Sequence, residues 1–455
     1  MSVLILGTLA GCASVPQVDP AVGHAISAQA PRIESRTRPL SSAEIRQIIA
    51  AITLAPGENA LLRHHLAIEQ AVIGGPLVAG ETTRLLRNGP PTFRAIFAAI
   101  ASARQRIDLE YYIFQDVESD GQHIGDLLLA KRQQGVEVNI LYDDFGSLVT
   151  PDAFFKRLQR AGVHVVGFNP LNPFEARAGY HPNHRDHRKI LIVDGTTAIV
   201  GGVNLANEYQ ANYLTKSTNA PGEEILPWRD TDIQIAGPAV RQLEALFMAH
   251  WRAQHGPSLP EIAPGAEEPG AQGNSVVRFI GSTPDHTVPR YYVTLVSALR
   301  SAERRITIEA AYFVPTPDET HALADAAGRG VDVELIVPAT SDSGLALAVG
   351  RSHFGQLLKA GVHIYEREGV ILHSKAVTVD GVWSVIGSSN FDHRSIVFND
   401  EVDAIVIGSD TADGLEAMAA ADRRLARQVT LHRWHHRSIK ERLKESFGKL
   451  VQNLL

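Results

Sequence analysis

This 455-residue chain has one cysteine, no apolar run of membrane-spanning length and no excess of base. With Cys12 alone, an intramolecular disulfide and a cysteine-based metal cluster are both excluded. A bilayer-spanning helix takes about 20 apolar residues, and no stretch of the sequence reaches that length. Lys and Arg number 43 against 50 Asp and Glu, a formal charge of −7. That balance argues against a nucleic-acid coat, so nucleic acid is not expected as a partner, although one local basic cleft stays compatible with it. Hydrophobic residues at 44% and charged residues at 20% are ordinary for a folded protein with room for a core. The length alone suggests about two to four domains.

What is present is an internal repeat. Ile107-Asp108-Leu109-Glu110 and Phe114 recur as Ile306-Thr307-Ile308-Glu309 and Phe313. Gly135-Val136-Glu137-Val138-Asn139-Ile140 recurs as Gly330-Val331-Asp332-Val333-Glu334-Leu335, and Ala161-Gly162-Val163-His164-Val165 as Ala360-Gly361-Val362-His363-Ile364. Each match is a helical stretch, a glycine turn and a β-branched run. This predicts an α/β fold of strand–helix–strand units with buried strands, present twice.

The repeat carries chemistry. His187-Arg188-Lys189 leads through an apolar run to Asp194-Gly195 and then to Gly201-Gly202-Val203-Asn204. His373-Ser374-Lys375 leads in the same order and spacing to Asp380-Gly381 and Gly387-Ser388-Ser389-Asn390. Two residues apart on a strand, His and Lys share a face. A phosphodiester needs an attacker at phosphorus, which neutral imidazole can be, forming a phosphohistidine. It also needs an acid for the departing alkoxide, which a second imidazole can be. Two lysines and two asparagines, Asn204 and Asn390, can donate to the equatorial oxygens. One copy supplies one imidazole, so two copies across a pseudo-twofold axis supply both roles. No metal and no other cofactor is needed by this scheme.

Each imidazole needs a partner to fix its tautomer. Aligning the repeats on Gly237 and Gly408 sets Asp230 against Glu401, two carboxylates entering a strand, with Asp232 the second choice in the first half. They are expected to orient the two histidines, Glu401 serving His373. Arg185, Arg188 and Lys189 around His187 favour neutral imidazole, and the Asp400–Glu401 pair favours a charged His373. The expectation is therefore His187 as attacker and His373 as acid.

These motifs, with Leu109–Phe114, Ala311–Pro315 and Phe398–Val402, resemble the phospholipase D superfamily, and within it bacterial cardiolipin synthases, especially the short B-type enzymes. The resemblance covers roughly residues 84–440. It implies two domains of mixed sheet flanked by helices, phospholipid substrates, and a metal-independent phosphatidyl transfer from phosphatidylglycerol to a second phosphatidylglycerol. It also makes the motif aspartates, Asp194 and Asp380, catalytic-motif members whose part is usually structural. Where the family commonly has Gly-Ser before the asparagine, the first half has Gly201-Gly202. Only Ser388 is then left to offer a hydroxyl to phosphate. Transfer and hydrolysis differ in whether an alcohol or water attacks the intermediate. A phospholipase D-type hydrolase therefore stays open from the residues alone, as does, more remotely, a non-catalytic lipid-binding lipoprotein.

Leu9-Ala10-Gly11-Cys12 is similar to the lipidation box of a bacterial lipoprotein signal, although no Lys or Arg precedes it. The reading is a signal over 1–12, a tether and helical segment over 13–75 with Ser41 and Glu44 as a capping pair, the first domain over 76–255, a linker over 256–275 and the second domain over 276–455. The basic C-terminus repeats Ile439, Leu443, Phe447, Leu450 and Leu454 at helical spacing, which suits an anionic membrane surface or packing on the domain. Cell-envelope placement follows from Cys12, with the outer membrane favoured over peripheral binding at the inner membrane.

Overall fold

A computed structural model of the chain describes most of residues 32–52, 65–260 and 273–438, excepting 36–37, 171, 173–179, 182, 211–216, 219–223 and 287, together with the single residues 262, 442 and 445. Cys12, residues 13–31 and 36–37 of the tether, residues 261 and 263–272 of the linker, and Ile439, Leu443, Phe447, Leu450 and Leu454 lie outside the described residues. Within the N-terminal segment, Ser42–Ile52 and Leu66–Ile73 are helices. At the first of these the Ser41 N–H donates to Glu44, and the Glu44 N–H returns to the Ser41 hydroxyl.

The principal strands of the first half are β1 (Leu77–Arg87), β2 (Arg106–Tyr111), β3 (Glu137–Asp143), β4 (His164–Phe168), β5 (Lys189–Val193), β6 (Thr197–Gly201) and β7 (Thr231–Ala236). They lie in the order β1-β7-β6-β5-β2-β3-β4, parallel from β2 to β4 and antiparallel elsewhere. The second half repeats the order with β8 (Ser275–Ser282), β9 (Arg305–Ala310), β10 (Asp332–Pro338), β11 (His363–Arg367), β12 (Lys375–Val379), β13 (Trp383–Gly387) and β14 (Asn399–Ile407) as β8-β14-β13-β12-β9-β10-β11. Strand β1 pairs with β7 through its C-terminal part and with β8 through its N-terminal part, so one long strand ties the two sheets together.

The apolar run after each motif lysine explains the layering. On β5, Leu191 and Val193 enter a core with the helix Gly89–Ser102, while Ile190 and Ile192 enter a second core. That second core also holds Ile386, Val402, Ala404 and Val406 of the other half. Period-two alternation thus buries one face against the lobe's own helices and the other against the partner lobe. Each fully buried Ile or Val contributes about 1.5–3 kcal/mol, so this shared layer fixes the lobes relative to one another. Among the described residues, no helix is long and apolar enough to cross a membrane.

Candidate active site

His187 stands just ahead of β5 and His373 just ahead of β12, and each is seated by the opposite lobe. The His187 N–H donates to the Asp400 carbonyl (2.9 Å), and the His373 N–H to the Arg229 carbonyl (2.7 Å). Around them short parallel pairings cross between lobes: Arg185–Asp186 beside Asn399–Asp400, and Trp228–Arg229 beside Ile371–Leu372. Both imidazoles open on one cavity of about 450 Å³, which Asn204, Asn390, Tyr112, Trp228 and Tyr312 also line.

The orienting carboxylates are crossed. Nδ1 of His187 lies 3.0 Å from Glu401 Oε2, and Nδ1 of His373 lies 2.7 Å from Asp230 Oδ2. This corrects the assignment of Glu401 to His373. Sequence alignment of the repeats finds equivalent carboxylates, but the strand that carries each one ends against the neighbouring lobe's histidine. Asp232 accepts instead from the Val203 N–H (3.0 Å), so it supports the turn ahead of Asn204. With Nδ1–H given to a carboxylate, Nε2 is the ring nitrogen left for chemistry.

Glu401 is held by the Ser388 hydroxyl (2.5 Å), the Ser395 hydroxyl (2.7 Å) and the Asn399 amide (3.1 Å). Ser388 is fully buried and spent on Glu401, which corrects its assignment to phosphate. The glycine at the matching position has the complementary reason. A Cβ on Gly202 would sit 2.1 Å from Asp230 Oδ1. The shorter aspartate carboxylate lies against the turn, whereas glutamate leaves space for a serine. Gly202→Ser is therefore expected to push Asp230 off His373, lowering kcat/KM by about 100-fold and stability by about 1–3 kcal/mol. Steady-state kinetics and urea unfolding would read both, and a variant with unchanged kinetics would contradict the close packing.

Asp194 and Asp380 are likewise corrected as catalytic residues. Asp194 accepts the backbone N–H groups of Arg104, Gln105 and Arg106 at 2.8 Å each, and Asp380 those of Glu303, Arg304 and Arg305. Each occupies a left-handed turn position, φ 51° and 55°, beyond the far end of its strand. They lock the helix-to-strand junction that positions β2 and β9.

The sequence reading missed Tyr209. Its hydroxyl lies 3.0 Å from His373 Nδ1 and 3.4 Å from Asp230 Oδ2. Ser395 is its counterpart on Glu401, at the same distance along the chain from its own motif histidine. Extending the repeat comparison past the asparagines would have found the pair. Aromatic rings also wall the imidazoles, Tyr112 at 5.3 Å from His187 and Trp228 at 4.8 Å from His373.

The electrostatics follow from burial. Burial pushes His187 down to about 4, with Lys189 adding to the effect against Glu401, and burial and then Lys375 push His373 down as well. Burial also depresses both lysines, Lys189 to about 7. Burial opposes the charge on Asp230 and Glu401, yet Lys375 with His373, and His187 with Lys189, hold these carboxylates below their ordinary range. The arginines near His187 are not the cause expected from sequence. Arg188 turns to Glu110 (3.2 Å) and Arg185 faces Asp143 (3.6 Å). The expected acidic setting of a charged His373 is also corrected, because Asp400 and Glu401 sit on the His187 side. Among the described residues one group could hold a metal ion, Glu110, Asp186 and His250. These residues do not line the catalytic cavity, and Arg188 already supplies positive charge to Glu110.

Two lobes of one α/β design, each contributing an imidazole to a shared cavity and a buried lysine behind it, define a phospholipase D-like protein. A family described as cardiolipin synthase, phospholipase D-like domain, matches residues 96–220 and 295–423. The cardiolipin synthase of Geobacillus kaustophilus is 35% identical over 414 residues, 90% of this chain and 78% of that protein. Cardiolipin synthase 1 of Bacillus cereus is 33% identical over 421 residues, 90% of this chain and 80% of that protein. The crystal structure of phosphatidylserine synthase from Haemophilus influenzae Rd KW20 shares the fold, with a TM-score of 0.63 at 14% identity over 86% of this chain and 100% of that one. The chain belongs to the cardiolipin synthase family.

Proposed function

We propose that this protein transfers a phosphatidyl group from one phosphatidylglycerol to the headgroup hydroxyl of a second, through a phosphohistidine. The observation that carries the proposal is the pair of imidazoles, each oriented by a carboxylate from the other lobe and opening on one cavity with two buried lysines behind it. His187 is the attacker. Its Nδ1 is fixed by Glu401 and its Nε2 has no hydrogen-bond partner among the described residues, whereas Lys375 lies 2.7 and 3.0 Å from the two nitrogens of His373. Nε2 of His187 bonds to phosphorus as the bond from phosphorus to the glycerol oxygen breaks. His373 in its protonated form, favoured once the anionic phosphate is bound, gives its proton to that oxygen. Neutral His373 then takes the proton from the acceptor's hydroxyl, whose oxygen displaces the histidine.

Incubation with phosphatidylglycerol is expected to give cardiolipin and glycerol in equal amounts, with phosphatidic acid a minor product. Predominant phosphatidic acid would make the protein a hydrolase. The same rate is expected in EDTA, because lysines, asparagines and imidazolium supply the positive charge that a metal would otherwise provide. Loss on chelation, restored by a divalent ion, would contradict the mechanism. The proposal extends to location: Cys12 becomes the lipid-modified N-terminus of an envelope lipoprotein, with the outer membrane favoured. Mass spectrometry of the membrane fraction should find a diacylglyceryl-modified Cys12 peptide; an unmodified one attached to Met1 would refute it.

A further inference from the structure

The loop after β3 is built inside out. Its hydroxyl residues, Ser147 and Thr150, are buried and Asp144 is half-buried, while its large apolar residues face outward, Phe145 50%, Leu148 60% and Val149 73% exposed. The outward display is held rigidly. The Gly146 N–H donates to Asp143 (2.8 Å), the Ser147 hydroxyl donates to the Tyr112 carbonyl (3.1 Å), and the Thr150 hydroxyl donates to the Phe114 carbonyl (2.8 Å). At Gly146 a Cβ would come within 2.3 Å of the Tyr112 carbonyl oxygen, so the close seating of the loop on the catalytic wall requires glycine there. Single exposed apolar residues are unremarkable on any surface. Three within five residues, on a loop whose hydroxyl groups are consumed inward, are a different matter.

Position gives the display a meaning. Phe145 lines the catalytic cavity, and the Arg185 guanidinium lies over its ring at 5.6 Å. Arg394 lines the same cavity. In the second lobe, the matching segment after β10 contributes Asp342 to the cavity, and the first turn of the helix Gly344–Ala360 that follows carries exposed Leu345. The first loop therefore sets apolar side chains at the edge of a cavity that also holds two arginines and the two histidines. A bilayer lipid presents the groups that match, acyl chains beside an anionic phosphate and its headgroup ester bond.

We infer that the 144–150 loop, with Leu345 on the second lobe, is the surface that enters the apolar layer of a phospholipid bilayer and brings the lipid headgroup to the histidines. This rests on the phosphatidyl-transfer reading for its substrate, and the two can fail separately.

The test uses the full chain carrying Val149→Trp, with Leu425→Trp, an exposed position outside the cavity lining, as its control. Vesicles of phosphatidylcholine and phosphatidylglycerol with brominated acyl chains should quench the fluorescence of the indole introduced at position 149 and leave the control unquenched. Leu148→Ser combined with Val149→Ser should lower turnover of vesicle phosphatidylglycerol by about 10–100-fold, the range expected from losing two buried apolar contacts. Its melting temperature and its turnover of monomeric short-chain phosphatidylglycerol should stay unchanged. Equal quenching of both introduced indoles, or equal losses on vesicles and monomers, would overturn the inference. A blue shift of the Val149→Trp emission with protein concentration in the absence of vesicles would overturn it in favour of a second copy of the chain. Should the parent protein turn over neither substrate, the transfer reading fails, and quenching in the Val149→Trp protein still decides the surface.

Discussion

His187→Ala and His373→Ala should each lower phosphatidyl transfer by about 10⁴-fold or more, since groups that act as a unit lose nearly everything when one is removed. The two variants should nonetheless differ in what they accumulate. With labelled phospholipid, His373→Ala should form the intermediate slowly, because His373 also protonates the leaving glycerol, and the label it holds should be on His187, which no base then helps to clear. His187→Ala should hold none. Label on His373 in the His187→Ala protein would reverse the roles. The pH profile of kcat/KM carries a second signature, because it reports groups of the free protein. His187 must be neutral to attack, so activity should fall as pH drops through about 4. Lys189 must be charged to hold phosphate and His373 charged to protonate the leaving glycerol, and burial lowers both, so activity should also fall as pH rises toward and through about 7. A profile flat from about 5 to about 9 would contradict the depressed lysine.

Glu401→Gln and Asp230→Asn are expected to cost about 10²–10⁴-fold each, the range for losing a carboxylate that fixes a histidine tautomer. Their effects should cross between lobes. The Glu401 carboxylate favours imidazolium at His187 against the effect of burial. Removing it makes imidazolium still less stable, so the acid limb assigned to His187 should move below about 4 in Glu401→Gln. The limb should stay in place in Asp230→Asn, whose loss falls on proton transfer by His373. An acid limb that moves in Asp230→Asn instead would return each carboxylate to its own lobe.

The legible and the illegible parts of this molecule divide on a physical line. The two His-x-Lys motifs could be read because strand periodicity and apolar anchoring are local, and local pattern is repeated in both halves. The same repeat implied two copies of one α/β unit, but not the order of its strands. The crossed pairing of Asp230 and Glu401 could not be read, because alignment gives equivalence between positions and says nothing of which lobe a strand end faces. Ser388 illustrates a subtler gap. Its hydroxyl lies on the motif turn, and only the position of the Glu401 side chain tells that it points to a carboxylate. The charges of Arg185 and Arg188 were visible in the sequence, but their directions, toward Asp143 and Glu110, depend on tertiary partners.

The crossed carboxylates have a consequence for how such a protein can change over generations. A site completed by reciprocal exchange is whole only when two copies meet, and two separate identical chains would have to keep both halves identical. Joined in one polypeptide, the copies are free to drift apart at matched positions. Here they have done so three times around one pocket, with aspartate facing glutamate, Gly202 facing Ser388 and Tyr209 facing Ser395. Two of the differences compensate each other, since the shorter acid needs the glycine and the longer acid accepts the serine. Covalent fusion thus turns two chemically interchangeable imidazoles into a distinguishable pair, the condition under which one histidine can specialise in attack and the other in proton transfer.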